Sequence, residues 1–145
     1  RGLGDVYKRQ IIMHMLGDPE NMQENPEYDN VVKSIQIFLK TKIQKLQELG
    51  FDNMIIDPGF GFGKSIDDNF KILKGLESFQ TLNRPIIVGL SRKSMIYKTL
   101  NITPEESLNG TTALNILALE RGANILRVHD AKEALQCISL LKKLY

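Results

Sequence analysis

Short apolar runs alternate with long amphipathic stretches along this chain, and this alternation constrains the fold more than any other feature. The apolar runs cover residues 11–15, 53–57, 86–90 and 124–128. Strands whose two faces are both buried have continuous apolar runs of this kind, whereas half-exposed strands alternate apolar and polar residues. The runs therefore predict parallel strands that are covered by helices.

The stretches that follow the runs predict helices. Residues 27–49 carry apolar side chains at helical spacing and end before Gly50, a residue typical of the position just past a helix. Ser65 is predicted to cap the next helix, with Asp68 as its third residue. A further helix is predicted to open at residue 104 or 105 and to run to residue 121.

The remaining connections complete a repeating order. Residues 91–101 are predicted to form a loop with at most a short helix, and Asp130 with Glu133 predicts a capping box for the last helix. The chain thus repeats a strand and a helix, which fits either a doubly wound sheet or a (β/α)₈ barrel. A barrel needs ~250 residues, so a chain of 145 residues would supply about half of one.

Composition and charge argue against several classes of protein. The chain is 42% hydrophobic and 25% charged, as in globular proteins, and its formal charge of +2 is too small for a nucleic-acid surface. No apolar run approaches the ~20 residues that span a bilayer. The one cysteine, Cys137, fits a reducing compartment and is interpreted as a small apolar residue on a helix. Residues 1–10 lack the pattern of the rest and are interpreted as foreign to the fold: a vector remnant, a gene-assembly artefact or a frayed end.

Polar, charged or glycine-rich groups follow every predicted strand, at the end where both candidate architectures gather reactive groups. His14 lies at the end of the first strand, Asp57 ends the second, Gly89 lies at the end of the third, and Arg127 lies in the fourth. The sequence therefore predicts a ligand site at this edge of the sheet. For His14 itself, a buried histidine with satisfied hydrogen bonds and a catalytic histidine both stay open.

The turn at residues 58–64, Pro-Gly-Phe-Gly-Phe-Gly-Lys, matches neither of the usual phosphate-binding motifs. A P-loop needs glycine five residues before its Gly-Lys pair, where this chain has Pro58, and the dinucleotide fingerprint starting at Gly59 needs glycine in place of Lys64. The glycines alone would permit a tight turn. The two phenylalanines between them, beside a carboxylate, favour an aromatic surface for a flat heterocycle or aromatic ring.

The charged residues at the strand ends each have two interpretations. Asp57 is a turn residue, or it accepts two parallel hydrogen bonds from an amidine-like ring edge. Lys93 is a solvated lysine or, as its position after a buried strand favours, a ligand-binding cation. Arg127 and His129 are two residues apart in a strand and so point the same way, which suits an anion site. A structural ion pair is the less favoured alternative for Arg127.

These motifs resemble those of the dihydropteroate synthase family. The residues at 57–64, 89–95 and 127–130, with the sequences DPGFGFGK, GLSRKSM and RVHD, resemble the family's three C-terminal motifs. Residues 13–23 resemble the family's preceding strand and loop, and residues 109–111 resemble the start of its penultimate helix. All of these motifs occur in the family's order, with the family's spacing, between residues 11 and 145.

The resemblance implies a (β/α)₈ TIM barrel, of which residues 11–145 would be about the C-terminal four β/α units. It implies an enzyme that joins p-aminobenzoate to 6-hydroxymethyl-7,8-dihydropterin diphosphate in folate biosynthesis, releasing diphosphate and using magnesium. Asp57 and Lys93 would be catalytic and would bind the pterin, with Met13 against its ring and Gly89 beside Lys93.

The resemblance also implies the rest of the site. Arg127 and His129 would hold the diphosphate, and Phe62, Ser94 and Arg92 would border the p-aminobenzoate pocket, where sulfonamide drugs bind in this family. The family's magnesium ligand is expected in its N-terminal half, so no metal ligand is predicted here.

The family's first four strands have no counterpart in this sequence. The chain is therefore expected to hold about half of the site, to be inactive alone, and to self-associate through its sheet edges. A pterin-binding methyltransferase of the same barrel family and a non-catalytic half-barrel are the alternatives. The expected partners are small-molecule substrates and, at full length, a second copy in a homodimer. No nucleic acid or membrane partner is expected, and the expected location is cytoplasmic.

Overall fold

The computed structural model describes residues 9–17 and 28–145, and within these ranges strands and helices follow one another in the predicted order. The α-helices and strands are β1 (Gln10–Met13), α1 (Val31–Glu48), β2 (Met54–Asp57), α2 (Ile66–Lys74), β3 (Ile87–Val88), α3 (Ser94–Leu100), α4 (Leu108–Glu120), β4 (Ile125–Leu126) and α5 (Ala131–Leu141). Two 3₁₀ helices, Leu76–Leu82 and Glu105–Ser107, follow α2 and precede α4.

The four strands run parallel and are neighbours in the order of the chain. β1 pairs with β2, with Ile11 opposite Ile55, and β3 pairs with β4, with Ile87 opposite Ile125. A single parallel bridge between Ile56 and Ile86 joins the two pairs. Parallel strands place their carboxyl ends at one edge, so the residues that follow β1 to β4 are brought to the same side of the molecule.

The helices bury apolar residues whose helical spacing predicts a buried face. α1 buries Val31, Ile35, Leu39 and Ile43 against the sheet, and it begins where the Asn30 side chain accepts the backbone N–H of Lys33. The prediction began this helix at residue 27 instead. Leu49, predicted as the last apolar residue of the helix, is 59% exposed because α1 ends before it.

The predicted start of α2 is confirmed. The Ser65 hydroxyl accepts the backbone N–H of Asp68, and the Asp68 carboxylate accepts the backbone N–H of Ser65, which together form a capping box. The predicted loop at residues 91–101 contains the short helix α3. Cys137 is buried on α5, as predicted.

The predicted capping box at the last helix is wrong. Asp130 precedes α5 but its side chain makes no capping hydrogen bond. Both of its carboxylate oxygens instead accept hydrogen bonds from the guanidinium of Arg92. A bidentate ion pair with a partner from another loop is stronger than a single bond to a helix N–H, so it determines the side chain's direction.

Two sequence predictions fall partly outside the described residues. The segment at 1–10, predicted to be foreign to the fold, includes residues 1–8, and the predicted loop at 16–26 includes residues 18–26, which lie outside the described ranges. Gln10 is the first residue of β1 and pairs with Met54. No helix among the described residues is both long enough and apolar enough to cross a membrane.

Candidate functional site

The glycine-rich turn, residues 58–64, follows β2 and comes close to the backbone at the end of β1. Gly59, Gly61 and Gly63 all have positive φ angles, of 73°, 84° and 66°. A Cβ at Gly59 would overlap the carbonyl oxygen of His14, so only glycine allows the turn to approach β1 this closely. The glycines are therefore required by the backbone, and the aromatic residues between them have separate roles.

The two phenylalanines of the turn point in different directions. Phe60 is fully buried in the hydrophobic core, so the prediction that it offers aromatic surface to a ligand is wrong. Phe62 is half-buried, and the Nζ of Lys93 lies 4.7 Å from the centre of its ring. Of the two aromatic rings, the one of Phe62 is therefore the one placed beside a predicted ligand-binding residue.

The turn is held by a side chain of α2 and by one from the segment that precedes α1. Asn69 of α2 accepts the backbone N–H of Gly61 at 2.7 Å, and its amide donates to the carbonyl of Ser65 at 2.7 Å. The Tyr28 hydroxyl donates to the carbonyl of Gly63 at 3.0 Å. These bonds fix a segment whose glycines would otherwise leave it mobile, so the turn is preorganised.

Asp57, the last residue of β2, is 6% exposed and lies among positive charges. Its Oδ1 accepts the backbone N–H of Gly59 at 2.7 Å, which confirms the turn role that was one of its two interpretations. Burial raises the pKa of the Asp57 carboxyl, and that hydrogen bond and the charges of Lys93, Arg127 and Lys64 act in the opposite direction. The same residue therefore shapes the turn and supplies a carboxylate among these cations.

Lys93, which directly precedes α3, is half-buried rather than solvated. Its ammonium donates to the carbonyl of Phe60. Burial lowers the pKa of Lys93 to about 8, the neighbouring Asp57 raises it, and Arg127 lowers it further. A partly desolvated ammonium in this position has a larger effect on a bound anion than an exposed lysine has.

A cavity of about 240 Å³ opens between the ends of β3 and β4. Its walls are formed by Gly89, Ser91, Lys93, Arg127, Val128 and His129. Arg127 and His129 thus line one cavity, as their two-residue spacing predicted. The donors around the cavity are of the kind that bind phosphate groups, so its lining favours an anionic ligand.

Gly89 and Arg127 pack directly against each other across the two strands. A Cβ at Gly89 would lie 3.1 Å from the Nε of Arg127, so the absence of a side chain leaves room for the guanidinium. In the described part of the chain, no carboxylate forms a salt bridge with Arg127. The structural ion pair considered for Arg127 is therefore absent there, and its charge faces the cavity.

Ser91 orients His129. The Ser91 hydroxyl accepts the backbone N–H of His129 at 3.2 Å and lies 2.9 Å from the Nδ1 of its ring. With Nδ1 engaged, the other ring nitrogen is left to face a ligand. The sequence analysis placed Ser91 in a motif but did not select it, because a serine in a polar loop carries no distinctive signal.

Arg92 faces away from the cavity and joins three loops. Its guanidinium makes the bidentate pair with Asp130, at 3.0 and 2.8 Å, and donates to the carbonyls of Pro104 and Glu105. Its backbone N–H donates to the hydroxyl of Thr111 at 3.0 Å. The predicted place of Arg92 at the border of the p-aminobenzoate pocket stays a prediction. In the structure, its hydrogen bonds hold the surrounding loops together.

The remaining predicted residues lie around this edge. Met13 is the last residue of β1 and is paired with Asp57, while Ser94 is the half-buried first residue of α3. His14 is 5% exposed, and its Nδ1 has no hydrogen-bond partner among the described residues. Burial, with the nearby charge of Lys64, lowers the pKa of His14 to about 4, so its ring is neutral at physiological pH.

Lys64 is the cation that the sequence analysis missed. The residue lies in the two phosphate-binding motifs that the turn fails to match and in the segment 57–64 that resembles a family motif, but none of these patterns gives it a role of its own. The structure buries it beside Asp57. A metal site is not formed: within residues 9–17 and 28–145, no group of three or more His, Cys, Asp or Glu side chains is placed to hold an ion.

Comparison with known proteins agrees with this geometry. The model of the family described as pterin binding enzyme matches residues 5–129. The chain belongs to the pterin-binding enzyme family. Among its relatives, the dihydropteroate synthase of Escherichia coli K12 is 40% identical over 133 residues, which are 90% of this chain and 47% of that protein.

Solved structures show that the pterin-binding fold is shared. The Yersinia pestis dihydropteroate synthase in a sulfonamide drug complex superposes with a TM-score of 0.90 at 36% identity, covering 92% of this chain and 50% of that one. The Thermus thermophilus enzyme in complex with 4-aminobenzoate superposes with a TM-score of 0.88 at 32% identity, covering 93% and 56%. The chain thus spans about half the length of the proteins that it matches.

Proposed function

We propose that this chain forms the pterin- and diphosphate-binding side of a dihydropteroate synthase. The observation that carries the proposal is the grouping of Lys93, Arg127 and His129 around one cavity, beside the buried carboxylate of Asp57. β1 to β4 would then be the last four strands of a (β/α)₈ barrel. The similarity to dihydropteroate synthases along 90% of the chain supports the same conclusion.

Asp57 is the proposed acceptor for the pterin. Gly59 occupies one oxygen of its carboxylate, and the other oxygen can accept hydrogen bonds from the amino-pyrimidine edge of a ring. Lys93 would bind the same ring from the end of β3, and Met13, in register with Asp57, would pack against its face. Because the ligand edge donates hydrogen bonds, Asp57 must be ionised to accept them. The surrounding cations favour the ionised carboxylate.

Arg127 and His129 are the proposed anchors of the diphosphate. Diphosphate leaves as the bond between its oxygen and the pterin methylene carbon breaks, and negative charge develops on that oxygen. Cations that already face this position stabilise the charge without reorganising during the reaction. The cavity of about 240 Å³ is lined by both of these residues and would hold the phosphate groups, while Asp57 would hold the ring.

The p-aminobenzoate amine then attacks the same carbon and needs positioning more than activation. Phe62 is the proposed wall for its ring, because this phenylalanine lies beside Lys93 whereas Phe60 is buried. The Thermus relative with bound 4-aminobenzoate supports a site for this substrate. Ser94 and Arg92 stay predicted neighbours of that pocket.

Several expectations from the resemblance stay predictions. They are the magnesium requirement, for which the described residues offer no donor set, the homodimer, the cytoplasmic location, the inactivity of the isolated chain and its self-association. The methyltransferase alternative is not favoured, because the relatives and the cations at the cavity both point to a diphosphate substrate.

A chimeric enzyme tests the proposed function. This chain would replace the matching segment of the E. coli synthase, and diphosphate release would be measured with both substrates present. We expect release that depends on p-aminobenzoate, that is abolished by Lys93→Ala, and that is unchanged by Lys98→Ala, an exposed lysine on α3. A folded chimera that transfers methyl groups, or that releases no diphosphate, would contradict the proposal.

A further inference from the structure

Lys64 joins two strand ends from inside the protein. It is 4% exposed, and its Nζ donates to the carbonyl of Phe62 at 2.8 Å and to the carbonyl of His14 at 3.2 Å. His14 follows β1, and Phe62 lies in the glycine turn after β2. Burying an ammonium costs free energy unless the charge is well compensated. A lysine that donates to two carbonyls therefore joins the two loops at a larger cost than an uncharged donor would.

The absence of a side chain at Gly59 makes room for this ammonium. A Cβ at that position would lie 3.3 Å from the Nζ of Lys64. The backbone N–H of the same glycine donates to Asp57. Lys64 and Asp57 therefore both approach Gly59, and their charges attract each other.

The other charges around this pair explain why a further cation is useful. Asp57 ends β2, and the charged or titratable side chains around it and Lys64 are His14 after β1, Asp68 of α2, Lys93 before α3 and Arg127 after β4. Lys93 and Arg127 face the cavity, where a bound anion would compete for them. Lys64 is buried away from that cavity, so a ligand leaves its charge available to Asp57.

We propose that Lys64 is a positioning residue of the ligand site, which holds the Phe62 backbone in place and keeps the Asp57 carboxylate ionised from a buried position that does not line the cavity. As far as the ligand is concerned, the inference rests on the proposed function. The two effects have different signatures. Loss of the hydrogen bonds alone would weaken binding equally at every pH, whereas loss of the charge would weaken it most at acid pH.

The direction of the pH effect follows from the charges. Burial raises the pKa of Asp57 above its usual value, and the positive charge of Lys64 opposes that rise. Burial lowers the pKa of Lys64 to about 7, so its ammonium is charged below that pH and favours the ionised form of Asp57 there. Removing the Lys64 charge should therefore raise the pKa of Asp57 further.

The decisive experiment follows the ¹³C signal of the Asp57 carboxyl during pH titration of this chain. In Lys64→Gln, which keeps a hydrogen-bond donor but no charge, the midpoint should rise by about one pH unit. In Lys74→Gln, which removes an exposed lysine of α2, it should stay at the wild-type value. An unchanged midpoint in folded Lys64→Gln would overturn the inference.

Two further measurements cover the other outcomes. If Lys64 variants do not fold, the Asp57 signal of Lys93→Met should still show a second step at the titration midpoint of the Lys64 Nζ, and the absence of that step would overturn the inference.

The affinity for pterin diphosphate should fall about 10-fold in Lys64→Gln at pH 7 and more below pH 6. Equal affinities of the variant and the wild-type chain at all pH values would count against the inference. A wild-type chain that binds no pterin diphosphate would contradict the proposed function, while the Asp57 titration would still decide the role of Lys64.

Discussion

The two sides of the candidate site are built in opposite ways. On the turn side, Asp57 and Lys64 are 6% and 4% exposed and are tied into a network of backbone hydrogen bonds. On the open side, Arg127 and His129 are exposed at the end of β4 and face a cavity. Both sides carry the polar groups that a ligand needs, but only those of the turn side are buried away from water.

This difference separates two kinds of recognition. A buried carboxylate in a fixed turn accepts hydrogen bonds in one geometry, so the turn side can distinguish one ring from another. Exposed cations attract any anion of the right size, and salt screens them. We therefore expect substitutions on the turn side to change both stability and specificity, and substitutions on the open side to change mainly affinity.

The largest expected effect is the loss of the buried carboxylate. Asp57→Ala should lower the affinity for pterin diphosphate at least 1000-fold, about 4 kcal/mol, because it leaves buried cations without their anion and the ring without its acceptor. Isothermal titration of the chain would measure the change. Asp67→Ala, which removes an exposed carboxylate of α2, serves as the control, and equal affinities for the two variants would remove Asp57 from the site.

The next effect is on stability. Gly59→Ala should lower the free energy of unfolding by about 4 kcal/mol, because the new methyl group overlaps the His14 carbonyl at a positive φ. Gly50→Ala is the matched control, since Gly50 has a φ of 85° with no atom within 4 Å of its position for a Cβ. That variant should lose only about 1 kcal/mol, the cost of a left-handed residue. Urea unfolding of both would check this, and equal losses would mean that the close approach to β1 does not matter.

His14 makes the stability of the turn side dependent on pH. Its pKa is lowered to about 4 in the folded chain, whereas the unfolded chain takes up the proton near pH 6.5. The stability from a neutral His14 is therefore complete above pH 6.5 and is lost as the pH falls toward 4, by an amount on the order of 3 kcal/mol. Urea unfolding across this range should give a free energy of unfolding that depends less on pH in His14→Gln than in the wild-type chain. An identical pH dependence would show that His14 takes up its proton as readily in the folded chain as in the unfolded chain.

The open side should respond more weakly. Arg127→Ala should reduce affinity for diphosphate about 30-fold, or about 2 kcal/mol, and should also reduce the salt dependence of binding. Titrations at low and high salt, with Lys132→Ala of α5 as an exposed control cation, would measure both quantities. If the loss for Arg127→Ala were the same at both salt concentrations, the exposed charge would not be what binds the anion.

The sequence predicted the fold well where burial governs the pattern. The four strands and the spacing of Val31, Ile35, Leu39 and Ile43 follow directly from apolar periodicity, and the capping box at Ser65 follows from local chemistry. The strands came out shorter than the apolar runs. A run shows which residues are buried, whereas the ends of a strand depend on its partner's register.

The site was predicted less completely, and for a physical reason. Sequence spacing brought Arg127 and His129 together, because they are two residues apart in the extended segment that continues β4. It could not show that Asp130 pairs with Arg92 rather than capping α5, since that pair joins residues distant in the chain. It also could not distinguish Phe60 from Phe62, or select Lys64, because the path of a turn with three positive φ angles is not set by apolar periodicity.

The ends of β2, β3 and β4 are proposed to form one ligand site. The direct test is an NMR titration of the ¹⁵N-labelled chain with 6-hydroxymethyl-7,8-dihydropterin diphosphate. We predict that the amide signals of Gly59, Gly89, Lys93 and Arg127 shift together, with one apparent dissociation constant. Shifts confined to the open side, or different constants for the turn side and the open side, would contradict a single site.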